Sequence, residues 1–258
     1  MPLSIADAVA VACLSLPETA SKVSHGMPTF QVRAKSFASW ALNHHGDGLA
    51  GLWLKMPSGA QAHFVSAEPE HYFIPPYSGP SGWLGLRLND LPDKGPSWET
   101  VCQRIAEAYV HVAPIELTAS GMPVLNAPAP DTALLAHELD PWLLPAATAA
   151  REVVRDICME WPEVTETRQF GSPAWKAGKK TFCTAHWKEQ GSLSFWVGTE
   201  QQVMLTLDSR FRIPAYTGNN GWIALDLVDG VQREEVSDLL LGSYKHFALK
   251  RMLKALEV

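Results

Sequence analysis

Ile74 to Trp83 reads IPPYSGPSGW, and Ile213 to Trp222 reads IPAYTGNNGW. Both follow Ile-Pro-x-Tyr-[Ser/Thr]-Gly-x-x-Gly-Trp, the second starting 139 residues after the first. Further matches lie on either side. Leu16-Pro17-Glu18 returns as Trp161-Pro162-Glu163, Gly26-x-Pro28 as Gly171-x-Pro173, and Lys35-Ser36-Phe37 as Lys180-Thr181-Phe182, all 145 residues on. Cys13 meets Cys158 at the same spacing, and Tyr109-x-His111 meets Tyr244-x-His246 at 135. The falling spacing means shorter loops in the second copy. A repeat of this length indicates two like domains and not a solenoid. The expected division is a first domain over 1–117, a linker over 118–145 and a second domain over 146–258.

Each copy reads as helix, strands, short helix, strands, helix. In the first, Ile5 to Leu14 has helical apolar spacing and Pro17 stops it. Thr29 to Val32, Lys35 to Leu42 and Leu49 to Met56 read as strands, and Ala60 to Ala67 as a short helix. Tyr72 to Pro75 and Trp83 to Leu88 are strands joined by the Gly-rich turn, and Trp98 to Val112 closes the copy. In the second, Lys188-Glu189-Gln190-Gly191 takes the place of the Asn43 to Gly48 turn. Terminal helices on an antiparallel sheet share one face of it, which predicts an α+β fold of two tandem two-layer domains. The Ile-Pro-x-Tyr block itself reads mainly as a fold determinant: glycines permit a tight turn and Trp83 and Trp222 re-enter the sheet.

The linker, TASGMPVLNAPAPDTALLAHELDPWLLP, carries five prolines after Gly121 and predicts an extended strap with at most one short helix. Leu134, Leu135, Trp142, Leu143 and Leu144 are apolar enough to pack on a domain.

With these residues laid out, the chain resembles the MmcQ/YjbR family, present as a tandem duplication. The resemblance rests on Leu16-Pro17-Glu18, Gly26 to Phe30, Lys35 to Phe37, Pro75 to Trp83 and Ala108-Tyr109, and on the second set through Ser243-Tyr244. Ala108 departs from the family's usual Ser, and the first copy lacks a counterpart of Lys250. The resemblance implies a CyaY-like (frataxin-like) fold and a "double wing" DNA-binding module. The frataxin likeness concerns fold alone: Ile5 to Leu14 carries only Asp7 where frataxins hold iron on an acidic helix.

The chain of 258 residues has 21 Lys+Arg against 27 Asp+Glu, which excludes a broadly basic nucleic-acid coat. The acid excess sits in residues 1–144; residues 145–258 hold 14 of each sign. Within them, Arg168 to Lys188 has Arg168, Lys176, Lys179, Lys180 and Lys188 and no acid, with Trp175 and Trp187 interleaved. The expected role is phosphate contact by those five cations, with Trp175 stacking on bases. A second cationic run, Lys245, Lys250, Arg251 and Lys254, ends the chain. The alternative is a protein-interaction or small-ligand module using the groove between the two repeats.

Other chemistries have less support. His44-His45-Gly46-Asp47 offers metal-ligand types but reads as a polar hairpin tip. His111 and His246 have no catalytic partner placed beside them by sequence. Gly-x-Gly-x-x-Gly, Gly-x-x-x-x-Gly-Lys-[Ser/Thr] and Gly-x-Ser-x-Gly are absent, so no cofactor, no metal and no enzymatic activity are expected. The four cysteines form no Cys-x-x-Cys pair and suit a reducing compartment. Ala8 to Leu16 lacks the positive flank of a signal peptide, and no apolar run is long enough for a bilayer, so a cytoplasmic location without membrane contact is expected.

Overall fold

A computed structural model describes residues 2–187, 191–227 and 230–257. The chain divides into two compact units, Met1–Leu139 and Asp140–Val258. Each carries a six-stranded antiparallel sheet with helices, so the fold is α+β and repeated.

The first unit runs α1 (Ile5–Leu14), β1 (Thr19–Ser24), β2 (Met27–Val32), β3 (Lys35–Leu42), β4 (Ala50–Lys55), α2 (Ala60–Ala67), β5 (Tyr72–Phe73), β6 (Trp83–Arg87), α3 (Trp98–Val112), α4 (Ile115–Thr118) and α5 (Ala136–Leu139). Its strand order is β1-β2-β3-β4-β6-β5. The second runs α6 (Pro145–Cys158), β7 (Val164–Gln169), β8 (Ser172–Ala177), β9 (Lys180–Trp187), β10 (Gly191–Trp196), α7 (Thr199–Leu205), β11 (Phe211–Arg212), β12 (Trp222–Asp226), α8 (Arg233–Phe247) and α9 (Lys250–Leu256). Its order, β7-β8-β9-β10-β12-β11, is the same topology.

The opening edge strands β1 and β7 are absent from the sequence reading. TASKVS and VTETRQ are mostly polar, and both lie at a sheet edge where little of the strand is buried. Alternation gives no signal where no face is covered.

Local chemistry sets the long helices. Ser4 and Ser97 cap α1 and α3 by accepting the Asp7 and Thr100 backbone N–H groups, and Pro145 opens α6. The closing helix then docks by the same contacts in both units. The Tyr109 hydroxyl donates to the Pro17 carbonyl at 3.0 Å, and Tyr244 donates to Pro162 at 2.8 Å. Phe37 meets Tyr109 edge-on at 5.8 Å, and Phe182 meets Tyr244 edge-on at 5.6 Å. Tyr-x-His is therefore chiefly a core tyrosine. All four cysteines are buried; burial raises the thiols of Cys13, Cys158 and Cys183 and leaves them poor nucleophiles.

The Ile-Pro-x-Tyr turn is held by a residue outside the motif. Gln61 on α2 donates through Nε2 to the Gly79 and Trp83 carbonyls at 2.9 and 2.6 Å. Gln202 on α7 donates likewise to Gly218 and Trp222 at 2.8 and 2.6 Å. Gly82 and Gly221 sit at φ +78° and +84°, where a side chain is strained.

The Pro-rich strap packs on the first unit as far as Leu139. Leu3 N–H donates to Asp131 at 2.6 Å, the Asp131 N–H donates to the Leu3 carbonyl at 3.0 Å, and Trp98 Nε1 donates to the Ala127 carbonyl at 2.9 Å. Leu134 packs on the first core, and Trp142 and Leu144 on the second. Leu135 and Leu143 point to solvent, contrary to the expectation that all five apolar residues pack.

Candidate nucleic-acid interface

The β8–β9 hairpin carries most of the expected cationic residues. Its geometry sorts them into different environments. Arg168 stands on edge strand β7 opposite Pro173 and binds Asp140 at 2.9 Å. It shares a cleft of about 510 Å³ with Arg151 and Arg155 of α6, which both hold Glu166, at 2.6 and 3.3 Å. An acid 28 residues upstream thus neutralises the first of the five cations. Lys176 is half-buried on β8, paired in register with Thr165 and Thr181. Lys179 and Lys180 are exposed at the turn, after Gly178 at φ +61°. Lys188 lies outside the described residues.

Trp175 is fully buried, which overturns its stacking role. Alternation along β8 is the reason: Trp175 and Ala177 face the core, and Lys176 between them faces away. Trp187 packs edge-on against Trp142 at 6.0 Å and is also partly buried.

Folding adds what the hairpin alone lacks. Helix α9 docks beside the β8–β9 turn through buried Met252; a methyl group on Gly178 would stand 3.9 Å from its Sδ. Arg251 Nε and Nη2 donate to Glu163 at 2.9 and 2.5 Å, while the Gly178 N–H reaches the Glu163 carbonyl at 3.4 Å. The helix that packs beside the turn carries Lys250, Arg251 and Lys254, all exposed like Lys179 and Lys180. Glu163 is held below the usual carboxylate range by its hydrogen bonds with Arg251. Among the described residues, Lys179, Lys180, Lys250 and Lys254 have no ion-pair partner.

The first copy is neutral at the same place. Glu18 matches Glu163, Arg33 matches Gly178, and Glu116 of α4 matches Arg251 of α9. Arg33 binds Glu18, and its Nη1 binds Glu116 at 2.5 Å. The conserved glutamate position keeps an arginine partner in both copies, supplied by the turn in one and the helix in the other. Glu18, Arg33, Lys35 and Glu116 cancel in charge, whereas at the second copy's turn Glu163 is taken by Arg251 and, among the described residues, Lys179 and Lys180 carry no ion pair.

The histidine turn is built differently from a metal site. Asp47 accepts the Leu49 N–H at 3.0 Å and Asn43 accepts that of Gly48 at 3.0 Å, closing the turn on itself. The His44 ring packs edge-on against Trp53 at 4.9 Å, and burial with the neighbouring His45 lowers its pKa. Among the described residues no three His, Cys, Asp or Glu side chains group around a cation position. Nor, among them, is any helix long and apolar enough to cross a membrane.

Comparison with known proteins agrees with the internal repeat. No curated protein matches the chain. A crystal structure of a Deinococcus radiodurans protein, described as a DUF419 domain, is similar at 22% identity; the match covers 41% of this chain and 86% of that one, with a TM-score of 0.35. The YjbR family model matches residues 14–111 and again residues 159–246, each span running from the end of a first helix to the histidine of a closing one, so the chain belongs to the YjbR family and carries its unit twice.

Proposed function

We propose that this tandem YjbR protein is a non-catalytic DNA-binding module whose contacts come from the second copy. The observation that carries the reading is the packing of α9, through Met252, beside the β8–β9 turn, which brings a helix bearing Lys250 and Lys254 to the turn bearing Lys179 and Lys180. Exposed cations without ion pairs are what a phosphate backbone requires, since released counterions drive the association. The first copy, self-neutralised through Glu18, Arg33 and Glu116, serves as a partner with little affinity of its own. Arg168 contributes little because Asp140 holds it, and Trp175 contributes only to the core. With the tryptophans of the hairpin turned inward, backbone contact outweighs base readout and sequence preference is weak.

Fluorescence anisotropy with a short labelled duplex at low salt tests this directly. The unaltered protein binds, and Lys179→Glu with Lys180→Glu abolishes binding while leaving the thermal transition in place. No binding by the unaltered chain, or full binding by the double variant, overturns the proposal.

A further inference from the structure

Lys35, Ser36, Lys55, Trp83, His111 and Val112 line an open surface pocket of about 360 Å³ in the first unit. It lies where the start of β3, the end of β4 and the start of β6 meet the last turn of α3. The lining holds two ammonium groups, an imidazole and a hydroxyl, and no acid. Lys55, the cross-strand partner of Trp83, is held in place by donating to the Ser81 carbonyl of the Gly-rich turn. An ammonium has three donors, so others remain for a ligand. Ser36 Oγ accepts from Gln31 Nε2 at 3.2 Å, which leaves its own proton to give.

The second copy fills this corner. Trp196 stands in the place of Lys55 and stacks on His246 with ring centroids 3.5 Å apart and planes at 12°. Phe247 replaces Val112, lying 4.7 Å from His246 and 5.8 Å from Trp222. The same topology therefore stands with the corner packed by rings. An open, acid-free, cationic version is not a requirement of the fold.

From this contrast we propose that the first copy binds a small phosphate monoester, with the phosphate between Lys35, Lys55 and His111 and a flat organic ring against Trp83. The volume lies at the lower end of ordinary ligand sites, about 300–1,000 Å³. Clustered N–H donors suit a compact doubly charged oxyanion, and the indole offers a surface for ring stacking. Free orthophosphate shares the anion chemistry and lacks the ring.

Isothermal titration of the full chain with adenosine monophosphate and with orthophosphate, at matched ionic strength, tests the site and separates the two sources. One site per chain is expected, with adenosine monophosphate the tighter. Lys35→Ala weakens both by about tenfold, the value of one charge-assisted hydrogen bond. Lys55→Trp, which installs the second copy's residue, abolishes both. If that variant does not fold, Lys55→Met read beside Lys35→Ala decides. Absence of binding at millimolar ligand, or binding unchanged in a folded Lys55 variant, overturns the site; equal affinity for the two ligands overturns the ring-bearing assignment. Lys179→Glu with Lys180→Glu leaves this titration unchanged, so the site stands or falls apart from the DNA reading.

Discussion

The salt dependence of duplex binding follows from the pairing of each cation. Among the described residues Lys179, Lys180, Lys250 and Lys254 have no ion pair and can meet phosphates, and Arg251 is engaged by Glu163. Each neutralised phosphate contributes about −0.9 to the slope of log K against log salt, so these lysines give a slope of about −3.6. Between about 50 and 200 mM salt the affinity then falls about 150-fold. Lys179→Ala with Lys180→Ala reduces the slope to about −1.8 and the fall to about 12-fold. Glu163→Gln acts in the opposite direction: it releases Arg251, steepens the slope to about −4.5 and extends the fall to about 500-fold. Anisotropy titrations at four or more salt concentrations measure all three slopes. A common slope for the three proteins refutes the idea that this face meets the backbone. A Glu163→Gln slope shallower than that of the unaltered protein refutes the assignment of Arg251 as a cation held in reserve.

Three further outcomes concern the fold. Gly85→Ala would drive a methyl group into the Phe73 ring, which lies across Gly85 and under the Arg87 guanidinium at 5.1 Å; thermal unfolding should show a loss of about 1–3 kcal/mol from overpacking. Gln202→Leu strands the Gly218 and Trp222 carbonyls, and denaturant titration should show a loss of about 1–3 kcal/mol confined to the second unit. His44 has a folded pKa below its ordinary 6.5, so its neutral form stabilises the first unit at neutral pH. That contribution is complete above 6.5 and is lost as pH falls through the lowered folded value; His44→Phe should remove this part of the acid sensitivity seen in pH-dependent melting.

The repeat was legible because it is written in residues with one job. Tyr109 and Tyr244 reach the Pro17 and Pro162 carbonyls, and Gly82 and Gly221 take a left-handed turn, so neither can drift without cost to the fold. The polar edge strands β1 and β7 escaped notice for the complementary reason, since an uncovered strand imposes no pattern. Gln61 and Gln202 match at a spacing of 141, and an amide kept at corresponding places in two otherwise different helices is a signal for a buried polar bridge.

The cationic site shows where a one-dimensional reading of charge fails. Counting along Arg168 to Lys188 credits Arg168, although Asp140 lies against it in space. The same count assigns Trp175 to a surface because cations flank it, although a strand turns neighbours to opposite sides. It also separates the β8–β9 turn from α9, which pack together where Met252 meets Gly178. Charges at the surface answer to their neighbours in three dimensions, and the first copy makes the point by inversion. Glu116 occupies the place of Arg251, and Arg33 that of Gly178, so each change is intelligible only beside the other. An arginine at both the turn and the helix would set two guanidiniums on one glutamate; each copy carries one there, Arg33 in the first and Arg251 in the second. Around the shared glutamate the two copies thus differ at a linked pair of positions, and the second copy's further cations are the lysines of the β8–β9 turn and of α9.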